Sequence, residues 1–79
     1  MNNIEATIAR LNRLRFTLSA EATREGLDRG QQLTLVASCE RIDEAIRKAR
    51  ADRRAAPRVL THITAEMFGI TRLYMETPT

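Results

Sequence analysis

Few residues in this chain have the type and spacing that bond-making chemistry needs. There is one histidine, His62, and one cysteine, Cys39, so a full His/Cys zinc set cannot be assembled within a single chain. Ser19 and Ser38 have no base placed near them by the sequence. The three glycines stand apart at 26, 30 and 69, so no glycine-rich loop is available to cradle a phosphate. Cys39 falls on an apolar helical stripe, where a thiol behaves as a small core residue. A reactive thiolate needs exposure and a positive neighbourhood instead. His62 lies one turn before Glu66, on the polar flank of its segment, and reads as a surface or helix-capping residue. The expectation is a protein that is not an enzyme and that uses no cofactor and no metal.

What the chain does carry is arginine. Of thirteen basic residues twelve are Arg, against ten acids, for a net charge of +3. The excess is uneven: +1 over residues 1–30, +3 over 31–58 and −1 over 59–79. Arg favours planar, bidentate contacts with carboxylates or phosphates. Arg47, Arg50 and Arg54 share one face in the last turns of the central helix, with Arg53 and Arg58 close by. Two readings stand side by side. Cations gather at helix C-termini because the macrodipole favours them there; alternatively, the stripe docks phosphates or an acidic protein surface. With no Trp, one Tyr and two Phe, the chain has little to offer as a base-stacking platform.

The elements that would position these residues are helices. From Asp28 to Arg54, the residues Leu35, Cys39, Ile42, Ile46 and Ala49 recur at alternating spacings of four and three, which places them on one stripe of a helix. Charged residues fill the rest of its circumference, and Asp43–Arg47 and Glu44–Lys48 have the spacing of favourable ion pairs. Upstream, Ile4, Ile8, Leu11, Leu14, Leu18 and Ala22 form a second stripe. Asn2 and Glu5 have the spacing of a cap with its reciprocal acid. Arg15 interrupts the stripe, where it snorkels, pairs with an acid of the neighbouring helix or marks where packing ends. Gly26 suits the left-handed residue that closes a helix, and Asp28 with Gln31 can cap the next one. A connection this short sets the two helices antiparallel.

Ala55-Ala56-Pro57 forms the second break, with proline suited to the first turn of a new helix. Beyond it, Val59, Leu60, Ile63, Met67, Ile70 and Tyr74 share one face that matches the open seam of the hairpin. Gly69 either sits within this helix at a cost of about 1 kcal/mol or divides it in two, and Pro78 marks the end. The predicted architecture is all-α: one domain over 1–79, an antiparallel helical hairpin plus a third helical segment in a small three-helix bundle. The helices are expected near 3–25, 29–54 and 58–76.

Phe16, on a thin stripe with Ala9 and Ala20 about 120° from the core face, packs against the third helix or faces a partner. Phe68 and Met75 lie opposite the core face of their helix. The partner-binding candidates are therefore Phe16, Arg47, Arg50, Arg54, Arg58, Phe68 and Met75.

Two partial resemblances bear on function. Ala65-Glu66-Met67-Phe68-Gly69-Ile70-Thr71-Arg72 is similar to the first helix and turn of bacterial helix-turn-helix regulators, in which a small residue four before a turn glycine lets two helices cross closely. Only Leu73 to Thr79 would remain for a recognition helix, which is too short. Leu11 to Ile46 resembles the small helical-hairpin aspartyl-phosphate phosphatases that regulate sporulation, which carry a Ser-Gln-Glu-Leu-Asp motif. Here the run is Ser38-Cys39-Glu40-Arg41-Ile42-Asp43, whose extra residue rotates Asp43 by about 100° relative to Ser38. Neither family is adopted.

Apolar content of 43% with 29% charged residues fits a folded domain. At 79 residues, a lone core supplies only ~3–5 kcal/mol, and such chains often gain stability from a second copy or a partner. One cysteine rules out an internal disulfide, no apolar run approaches the ~20 residues that span a bilayer, and the start lacks the pattern of a signal peptide. The chain is expected to be cytoplasmic, without a membrane partner. Its expected function is that of a small non-catalytic protein-binding regulator, inhibitor or chaperone-like adaptor. Small inhibitors from phage or other mobile elements share its size class. The expected partner is a protein with an acidic surface, a second copy as a homodimer, or both. The alternative is a nucleic-acid-binding transcriptional regulator that uses the Arg47–Arg58 stripe.

Overall fold

The alternating spacing of apolar residues produces three helices, α1 (Asn3–Glu21), α2 (Arg29–Ala51) and α3 (Ala56–Met75), in a computed structural model that describes residues 3–75, with side chains through Arg72. The Asn2 cap, the side chains of Tyr74 and Met75, and Pro78 lie outside the described residues. Among the described residues there is no strand, and α2 packs against both α1 and α3, which also meet each other. This is the all-α three-helix bundle that the stripes predict.

The core is the meeting of those stripes. Ile8, Leu11, Leu18 and Ala22 from the first stripe, Leu35, Cys39, Ile42, Ala45, Ile46 and Ala49 from α2, and Ala56, Leu60, Ile63 and Met67 from α3 are buried together. Ile4, Leu14, Val59 and Ile70 cover its edges, as does Leu27 from the first connection. Ser38 is the one buried polar residue among those described. Its hydroxyl donates to the Thr34 carbonyl 2.8 Å away, which removes the cost of an unmet donor.

Both connections begin earlier than apolar spacing alone suggests, and each has a local cause. α1 stops at Glu21, short of residue 25. There the chain tightens: the N–H groups of Thr23 and Arg24 donate to the carbonyls of Ala20 and Glu21, and the Thr23 hydroxyl also donates to Ala20. Gly26 then takes φ +86°, a conformation that a Cβ disfavours. Asp28 caps α2: its carboxylate accepts from the Gln31 N–H at 2.8 Å, and the Gln31 side chain accepts from the Asp28 N–H. α2 in turn stops at Ala51 rather than at residue 54 because Asp52 diverts the backbone. One carboxylate oxygen of Asp52 accepts from the N–H groups of Arg54 and Ala55, the competition with helix that short polar side chains offer. α3 begins at Ala56 with Pro57 in its first turn, and it runs unbroken through Gly69.

Candidate functional site

The inter-helical polar contacts fix the register in which surface residues face one another. Arg15 on the α1 stripe reaches across to α2, with its Nε 2.6 Å from an Asp43 carboxylate oxygen. Cys39 Sγ–H donates to the Arg15 carbonyl at 3.6 Å, and the Gln32 side-chain amide donates to the Ala22 carbonyl at 3.1 Å. On the other side of α2, Arg41 pairs with Glu66 of α3 at 2.5 Å. Arg53, in the second connection, lies 3.8 Å from Glu5 at the start of α1. These partners replace the pairs expected from helical spacing. Asp43 is engaged by Arg15 rather than Arg47, and Glu44 pairs with Arg47 rather than Lys48.

This rearrangement redraws the basic stripe. Because α2 ends at Ala51, Arg54 stands in the turn and shares no helical face with Arg47 and Arg50. Arg47 is neutralised by Glu44, and Arg53 lies beside Glu5. Among the described residues, the exposed cations in this region that form no ion pair are Lys48, Arg50, Arg54 and Arg58.

Grooves run between the helices among the described residues. The α2–α3 groove, about 500 Å³, is lined by Arg41, Glu44 and Lys48 on one wall and Arg58, Val59 and His62 on the other, over Ala45 and Ile63. The α1–α3 groove, about 720 Å³, is lined chiefly by threonines and apolar side chains, with Arg10 at its edge and Phe68 on its flank. The α1–α2 groove, about 280 Å³, is bordered by Arg15, Val36 and Glu40.

The apolar candidates divide. Phe16 is 75% exposed, so it does not pack against the third helix as one sequence reading has it, and it lines none of these grooves. Phe68 is 65% exposed. Leu33 and Val36 of α2 are also exposed. The signal that could have singled them out is their position off the α2 core stripe. The Met75 side chain lies outside the described residues.

The cysteine and the histidine sit in different surroundings. Cys39 is buried, and that burial pushes its thiol up from the ordinary value, with nearby Arg15 pulling it partly back. His62 is exposed on the groove wall. Among the described residues no group of His, Cys, Asp and Glu could hold a metal ion, and no helix is long and apolar enough to cross a membrane. Gly69, which the helix-turn-helix resemblance needs in a turn, lies within a continuous helix.

The class these features define is a small cationic three-helix bundle with open grooves between its helices. Comparison with protein-family models, curated proteins and solved structures finds no match to the chain.

Proposed function

We propose that this chain is a non-catalytic protein-binding module, a regulator, inhibitor or adaptor that acts through its helical surfaces in the cytoplasm. The observation that carries this reading is the placement of its two phenylalanines. The core is built from Ile, Leu, Ala, Met and Cys, while Phe16 and Phe68 stand exposed outside it. Covering a phenylalanine fully is worth ~1.5–3 kcal/mol relative to leaving it in water, and each of these rings leaves most of that unrealised. Exposed aromatics of this kind are typical anchors of protein interfaces. A second copy of the chain is one candidate partner for these surfaces.

The runner-up is nucleic-acid binding, favoured by the unpartnered cations Lys48, Arg50, Arg54 and Arg58 around the second connection. Capture from native lysate with and without nuclease separates the two. A discrete protein retained in stoichiometric amount after nuclease supports the protein-binding reading. Capture that disappears with nuclease replaces it with the runner-up.

A further inference from the structure

We infer that the α2–α3 groove is the seat for an acidic amphipathic helix of a partner protein. The inference rests on the protein-binding reading and names the chemistry of one docking segment. Charge complementarity carries it. At one end of the groove Arg41 is held by Glu66 across the gap, and Glu44, the one acid in the lining, is held by Arg47. The antiparallel register set by Arg41 opposite Glu66 brings Lys48 level with Arg58 at the other end. Those two cations stand on opposite walls, exposed, and among the described residues no carboxylate is engaged by either. An anion seated in the groove between these two cations gains attraction from both walls.

The floor decides which anion. Ala45 and Ile63 line the groove beneath the cations, with Val59 adding apolar surface on the α3 wall. A phosphate backbone makes no use of an apolar floor, and the only lining ring available for stacking is the His62 imidazole. A helix with apolar residues on one side and carboxylates flanking them satisfies floor and rim together. From Arg41 to Lys48 the α2 wall is about 10 Å long at ~1.5 Å per residue, which matches two turns of such a helix. Neither exposed phenylalanine lines this groove, so the two surfaces are separable by mutation.

The test is an NMR titration of the whole chain with a synthetic helical peptide carrying leucines at i and i+4 flanked by glutamates. Three controls accompany it: the same peptide with lysines for glutamates, the same peptide with serines for leucines, and a DNA duplex. The expected result is amide shifts confined to 41–48 and 58–63 with the Leu/Glu peptide only. Lys48→Glu with Arg58→Glu should weaken that binding about tenfold or more. Both side chains are exposed and unpartnered, so the thermal melt of the double variant should match wild type. Equal binding of the serine peptide or the duplex at this site, shifts mapping elsewhere, or indifference to the double reversal would overturn the assignment. If nuclease-resistant capture persists unchanged in the double variant, the groove assignment fails while the protein-binding reading stands.

Discussion

Arg15 occupies a position on the α1 stripe where an apolar residue is due, and Asp43 of α2 accounts for it. The two side chains are each 41% exposed, so the pair is worth the ~0.2–1 kcal/mol of a surface bridge and is screened by salt. Asp43→Asn is accordingly expected to cost about that much by denaturant titration at low salt, and less at 1 M salt. Deeper in the same interface, Ile42 is fully buried. Its truncation to alanine should cost ~2–5 kcal/mol, several times the ion pair. Cys39 gives a pH signature. Burial raises its thiol above the ordinary value, so the folded state holds that proton more tightly than the unfolded chain does. The associated stability is full below the ordinary thiol range near ~8.5, and it is lost as pH rises through and above that range. The stability difference between wild type and Cys39→Ala should therefore shrink from pH 7 to pH 10. A difference that stays constant would show the thiol to be unperturbed.

The two unusual glycines predict opposite outcomes at the scale of the elements. Gly26 needs its left-handed φ, so Gly26→Ala should destabilise by about 1 kcal/mol even though nothing crowds the new methyl group. Gly69 lies mid-helix with open space around it, so Gly69→Ala should stabilise α3 by ~0.5–1 kcal/mol. Chemical denaturation of both variants checks the contrast. The same contrast shows what the residues disclose before any coordinates. Helical periodicity placed Leu35, Cys39, Ile42, Ile46 and Ala49 on the buried face, and Asp28 with Gln31 announced the α2 cap. Helix ends were less legible, because Asp52 ends α2 through hydrogen bonds to N–H groups ahead of it, a contest that apolar spacing does not register. Ion pairing was less legible still. Asp43 and Glu44 have partners within reach on their own helix, and only the register of α2 against α1 hands Asp43 to Arg15. The α2–α3 groove was invisible for the same reason, since Lys48 and Arg58 come to line one groove only once two helices are aligned.

Among the described residues, the molecule builds an aliphatic core within one chain and leaves Phe16, Phe68 and a set of cations outside it. If those cations bound a phosphate backbone, affinity would fall steeply with salt, with a log–log slope near −2 to −3 for three contacts and about one unit less for each Arg removed. Protein docking predicts no defined nucleic-acid site. The measurement that bears most directly on the protein-binding reading is nuclease-treated capture from native lysate by wild type, Phe16→Ser and Phe68→Ser. Both positions are exposed, so the melts should stay close to wild type. At least one substitution should weaken retention of the captured protein about 30-fold, the ~2 kcal/mol of an interface anchor. Undiminished retention by both variants would contradict the role given to the exposed phenylalanines.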